Sequence, residues 1–301
     1  MQVGRRSGLG AVLGLVLALT MFVKPAMAED PLYVDWSTML PGLTASYDPN
    51  STNICTSGKI QCVDSTIKEM TRRYNDLAAT CSHDTIFAMV YLRTTEMYKW
   101  SALQDGFYSD TPFINHEDAV FASYYFNAFD AYRKGDLTNV PAAWKLAFDT
   151  AAAHQVNANT NALLGMSAHI NRDLPYVLWQ IGLVKPDGTS RKPDHDAVNN
   201  FLNRVDFGDE AQVRYDPSFN LSTSTPATMN LIVAWREQAW RNAELLRSTE
   251  NDPIAFANAK AQIENFAVSE SQALKASGLY APTSTSASRD AYCSLHHNDP
   301  Y

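Results

Sequence analysis

The stretch GMSAHINRDLP, residues 165–175, sets His169 and Asp173 four residues apart in a chain otherwise built for apolar packing. On a helix that spacing puts both side chains on one face. A neutral imidazole and a carboxylate so placed can grip a divalent metal such as zinc. They can equally act as a general base whose imidazole is oriented by the carboxylate. A metal needs further ligands, and Asp118 and Glu96 are the candidate acids. Asp118 shares a helical face with Ala122, Tyr125 and Phe129, and Glu96 shares one with Met89, Leu92 and Trp100.

Each of these residues also has a structural reading. Pro175 removes a backbone donor and pushes Leu174 away from helical geometry, so Asn171 and Asp173 can be spent on groups freed by a kink. Asp118 falls in the first turn of its expected helix, where an acid caps free N–H groups and meets the helix dipole. Glu96 suits a solvated flank. His154 is expected on the surface, and His296 and His297 lie in the tail as an exposed end or a local metal-binding pair. The chain contains no G-x-S-x-G, no phosphate loop, no H-E-x-x-H and no dinucleotide glycine motif.

The elements that must position these residues are helices. Apolar residues at helical spacing predict helices over 63–81, 82–103 and 115–135, with Ser82 and Asn115 at the starts of the last two. One or two helices are expected over 140–183, disturbed by Pro175, and others over 194–207, 225–248 and 252–278. Residues 208–225 are expected to form a loop. On a wheel over 162–181, Gly165, Met166, His169, Asp173 and Tyr176 share a side beside the arc of Leu163, Ile170 and Leu174. His169 and Asp173 therefore point toward other helices, and Gly165 permits close approach. No alternating strand pattern appears. The fold class is all-α, a single-domain multi-helix bundle.

Residues 1–28 resemble a secretory leader: Arg5 and Arg6, an apolar run from Leu9 to Val23, then Ala26-Met27-Ala28. The run is shorter than a spanning helix needs. The expected organisation is a signal peptide 1–28, an irregular N-terminal arm 29–63, a helical domain 64–280 and a C-terminal tail 281–301. A secreted or periplasmic protein is expected, with no membrane attachment after cleavage. Cleavage takes away Arg5, Arg6 and Lys24 and no acid, moving the formal charge from −8 to −11. Nucleic acid is excluded as a partner on that balance, since phosphate contacts need Lys and Arg. Four cysteines in an exported chain imply disulfides. The favoured pairing is Cys55–Cys62, closing a small loop around Gly58, and Cys81–Cys293, pinning the tail to the helical domain.

At LLGMSAHINRDLPYVLWQIGL the chain resembles an uncharacterised bacterial and fungal family, a domain of unknown function with a signature close to G-M-N-A-H-I-x-x-D-L-P. EDAVFASYYFNAFDAYRKG, VPAAWKLAFD and WREQAWRNAELL are similar to further blocks of that family, over about residues 65–248. Ser167 stands where the signature has Asn. The resemblance places Asp118, His169, Asp173 and Trp240 in motif blocks and implies no activity. A fainter similarity links HINRDLPY to the helical zinc phospholipase C and S1/P1-type nucleases. Tyr176 replaces the next histidine of that pattern, and no Trp stands at the mature N-terminus near Glu29.

Two functional readings follow. The first is an exported hydrolase using a metal or the His169/Asp173 pair. The second is a non-catalytic helical protein that binds an apolar ligand or a partner, suggested by aromatic runs such as YYFNAF and WREQAW. Neither names a particular small-molecule or protein partner.

Overall fold

The protein is described by a computed structural model covering Leu40 and residues 43–301. The leader 1–28 and the first part of the arm lie outside the described residues. From residue 43 to Lys59 the chain runs in turns, and α1 (Ile60–Ala78) follows, burying Val63, Thr66, Met70, Tyr74 and Leu77 along one stripe. Next, α2 (Thr85–Ala102) is buried on all sides from Thr85 to Leu92. Ser82 does not cap it, because three residues still form the turn between Cys81 and Thr85.

The third helix, α3 (Thr111–Lys134), starts four residues before the expected Asn115. Asp110 accepts a hydrogen bond from the Phe113 N–H, and Pro112 in the first turn needs no donor of its own. Asn115 is thereby an interior residue, accepting from the Tyr98 hydroxyl at 2.7 Å and donating to the Gly58 carbonyl at 2.9 Å. Asp118 moves into the second turn, where it caps nothing. Gly135, with φ of 76°, ends the helix in the left-handed conformation.

α4 (Ala142–Ala152) leads to one continuous helical run. It comprises α5 (Ala158–Ser167), a π-helical turn over Ala168–Asp173, and α6 (Leu174–Ile181). The disturbance expected at Pro175 thus takes the form of a widened turn rather than a break. The Leu174 N–H reaches back five residues to the His169 carbonyl, and Pro175 sits in the first turn of α6. Such π-turns are rare and recur at functional sites.

The expected helix 194–207 is split into α7 (Lys192–Ala197) and α8 (Asn199–Leu202). Two short helices appear where none was expected: α9 (Gly208–Arg214) in the stretch taken for a loop, and α12 (Ala287–His296) in the tail. Between them lie α10 (Pro226–Thr249) and α11 (Pro253–Gly278), close to their expected bounds, the latter capped by Asp252. Two isolated bridges are the whole of the strand pairing among the described residues.

The bundle closes around the π-turn. α1 packs on α2 and α3, α6 on α10, and α11 on α4, α5 and α10, while the π-turn itself touches α3, α4, α5, α10 and α11. Both expected disulfides are present, Cys55–Cys62 and Cys81–Cys293. Gly165 serves close packing: a Cβ there would lie 2.2 Å from the Phe87 ring. No helix among the described residues is long and apolar enough to cross a membrane.

Candidate functional site: a histidine–aspartate pair facing an apolar cavity

His169 and Asp173 both belong to the π-turn and are 3% and 0% exposed. Their side chains meet each other and not the backbone. Asp173 Oδ2 lies 3.0 Å from His169 Nδ1 and accepts the Trp144 indole N–H at 2.8 Å, and Oδ1 accepts from Arg172 Nη1 at 3.0 Å. Arg172 is in turn held by Glu264 at 2.9 Å, which also accepts from the Tyr176 hydroxyl. Asn171 donates to Ser167 Oγ. The kink reading of Asp173 is therefore not what the fold uses: three side-chain donors consume its carboxylate.

The geometry sets the state of the imidazole. A carboxylate can only accept, so Nδ1 carries the hydrogen and the Nε2 lone pair is free. Burial lowers the His169 pKa from its ordinary value, opposed by the bond to Asp173, and the ring is neutral at neutral pH. Nε2 is buried with no hydrogen-bond partner. The ring is stacked on Phe121, centroids 3.5 Å apart and planes within 4°, and Tyr91 meets it edge-on at 4.5 Å.

His169 lines a cavity of about 120 Å³ between α2, α3, the π-turn, α8 and α10. Most of its wall is apolar, including Phe87, Tyr98, Ile114, Phe201, Phe207 and Ile232. Tyr91, Glu117, Asp118 and Arg236 supply the rest of its polar lining apart from threonines. The Tyr91 hydroxyl and Asp118 Oδ2, like His169 Nε2, are buried without partners. Unsatisfied buried polar atoms are rare and costly, so three on residues of one cavity single it out as the candidate site. Burial raises the Asp118 pKa to about 8, with Glu117 adding to it, and burial raises Glu117 to about 7. As a whole residue Asp118 remains partly accessible, while its Oδ2 is sealed.

Of the sequence candidates, the fold brings His169 and Asp118 to one cavity, with Asp173 directly behind the imidazole. Glu96 is elsewhere, paired with Arg93 at 2.7 Å on a partly exposed flank. Among the described residues, the trio of potential ligand atoms lying within 4.8 Å of one another is a different one: His83, His154 and Asp290. His83 Nε2 lies 2.7 Å from Asp290, and Arg289 Nη1 lies 3.2 Å from Nδ1. His154 lies 3.1 Å from Asp290 and stacks on His83 at 3.9 Å. His296 pairs with Asp299.

Trp144, Tyr91, Glu117 and Arg236 escaped sequence reasoning. Glu117 is hidden beside Asp118, and Arg236 lies inside the WREQAW block, which stands out for its tryptophans and its family resemblance rather than for its arginine. Trp144 sits in the VPAAWKLAFD block of the resemblance, but nothing local links it to Asp173, 29 residues further on.

A model of the family of unknown function DUF5995 matches residues 63–277. The chain belongs to that family. No curated protein and no solved structure matches it. In this DUF5995 member the matched stretch runs from α1 to the end of α11, so it contains the π-turn and every cavity residue named above. Asp290, Cys293 and α12 lie beyond it.

Proposed function

We propose that this DUF5995 protein is an exported hydrolase that works by general acid–base catalysis in the α2–α3–α10 cavity. The observation that carries the reading is the divided imidazole of His169, a residue that lines the cavity: Nδ1 is anchored on Asp173, and Nε2 is buried and unpartnered. Nε2 takes a proton from a water, the resulting hydroxide adds to the carbonyl carbon of a small ester or amide, and the imidazolium returns the proton to the leaving group. Asp173 supports the imidazolium, and Trp144 and Arg172 keep Asp173 from turning away. Burial raises the Tyr91 pKa well above its ordinary value, so its hydroxyl stays protonated and donates to the developing oxyanion. The export half of the reading rests on the leader-like residues 1–28 and on two disulfides, which persist in oxidising compartments.

Turnover of short-acyl aryl esters by the oxidised protein tests this, with metal analysis of the same preparation. Saturable hydrolysis that falls about 10²- to 10⁴-fold in His169→Gln is expected. Hydrolysis unchanged in that variant sinks the reading. A second reading, binding without chemistry, draws on the largely apolar wall; retained ligand with no turnover in the wild type would favour it.

A further inference from the structure

The charged groups on the cavity wall do not balance. Arg236, 6% exposed, makes no ion pair among the described residues: its Nε donates to the Asn199 amide oxygen at 2.8 Å and its Nη2 to the His195 carbonyl at 2.6 Å, both neutral acceptors. Glu117 and Asp118 line the same cavity, and neither forms a salt bridge among the described residues. One guanidinium thus stands against two carboxyl groups in a low-dielectric space, where an uncompensated charge is expensive. Among the described residues, no other group that lines the cavity carries a positive charge. Tyr91 and Tyr98 approach from α2, His169 is neutral on the π-turn, and Tyr108 lies near Arg236. Arg191 and Asp194, behind Glu117, are of opposite sign, and Arg191 is already paired with Asp110.

We propose that the cavity binds a small organic cation, an ammonium group on an apolar body of about benzene's size, with the ammonium held by the Asp118 and Glu117 carboxylates. An apolar cavity of about 150 Å³ takes up benzene, and this one is about 120 Å³. Phe121, Phe87 and Tyr98 line the same cavity, and aromatic rings attract a cation. The buried orphan atoms agree: Asp118 Oδ2 and His169 Nε2 are both acceptors, matched to N–H donors of a ligand. An anionic ligand would meet two carboxyl groups and an imidazole lone pair. Without ligand, the second carboxyl holds a proton, as the raised pKa values of both acids express. The ligand replaces that proton and restores neutrality with Arg236. The proposal rests on the same cavity as the hydrolase reading and names its substrate class, esters or amides that carry an ammonium near the cleaved bond.

Calorimetric titration with benzylamine, benzyl alcohol and benzoate, three probes of one shape and different charge, tests it. Benzylamine is expected to bind at least tenfold more tightly than benzyl alcohol near pH 8, and benzoate more weakly than either. About one proton should be released per benzylamine bound near pH 7, read from buffers of different ionisation enthalpy. Affinity should then rise about tenfold per pH unit below the titration of the pair. Asp118→Asn should erase the preference for amine over alcohol while alcohol binding persists. Benzyl alcohol or benzoate binding as tightly as benzylamine, or no binding by any of the three, overturns the proposal, and these wild-type results stand even if Asp118→Asn does not fold. Amine binding without turnover sinks the hydrolase reading alone, whereas turnover of neutral esters with no amine preference sinks this one alone.

Discussion

The molecule contains two histidine–aspartate arrangements of similar composition and opposite character. In the His83–His154–Asp290 group both nitrogens of His83 are engaged, one with Asp290 and one with Arg289. The group joins α12 to the start of α2, next to the Cys81–Cys293 bridge that ties the same two segments. Arg289 can only donate, so Nδ1 of His83 is an acceptor and Nε2 carries the hydrogen given to Asp290. No lone pair of His83 is left over for chemistry. In the π-turn, by contrast, His169 spends one nitrogen on Asp173 and keeps the other unpartnered. Residue types alone do not separate a clamp from a reactive pair. The unspent nitrogen does.

The largest expected effect breaks the comparison directly. His169→Gln should lower turnover by about 10²- to 10⁴-fold and shift the unfolding temperature by only a few degrees. His83→Gln should do the reverse, leaving turnover intact and costing about 1–3 kcal/mol by disturbing the buried bonds of His83 to Asp290 and Arg289. Turnover lost equally in both would mean that the two regions are not separate. Next in size is the bridge between segments 212 residues apart. Cys81→Ser with Cys293→Ser should cost about 2–5 kcal/mol in denaturant unfolding, while amine binding in the cavity survives under native conditions.

The two regions also respond to pH with opposite sign. Burial lowers His83 from its ordinary 6.5 to about 4. As pH falls through that interval the unfolded chain takes up a proton that the folded one refuses, and stability drops. Asp118 is raised from 3.8 to about 8 and Glu117 from 4.5 to about 7. As pH rises through those intervals the unfolded chain releases protons that the folded one keeps, and stability drops again. Thermal melts should show the loss of stability on acidification below about pH 6.5 reduced in His83→Gln, and the loss of stability on raising pH from about 4 to 8 reduced in Asp118→Asn. Both variants changing the pH slope in the same direction would contradict the assignment. The smallest effect belongs to Glu96→Gln, which removes a partly exposed pair with Arg93. It should cost no more than about 1 kcal/mol and leave turnover and binding unchanged.

Much of this was legible locally. Periodicity located the long helices, since each buries one stripe, and the wheel over 162–181 correctly turned His169 and Asp173 inward. The short helices α9 and α12 were missed because they span seven and ten residues and depend on tertiary packing rather than on a strong intrinsic pattern. The start of α3 was misplaced because Asn115 looks like a cap, whereas Asp110 and Pro112 do that work. That shift mattered, since it converted Asp118 from a capping acid into a cavity residue.

By itself, the sequence determined the all-α class and the sharing of one face by His169 and Asp173, because these depend on residue type and near-neighbour spacing, and it favoured one of three cysteine pairings. The tertiary structure alone decided which nitrogen of which histidine stays free, since Trp144, Tyr91, Asp118 and Arg236 reach the site from four other helices. It also decided that His83 meets an aspartate 207 residues away. Hydrogen-bond supply is a property of the packed neighbourhood, and no local pattern encodes what will be left unsatisfied within it.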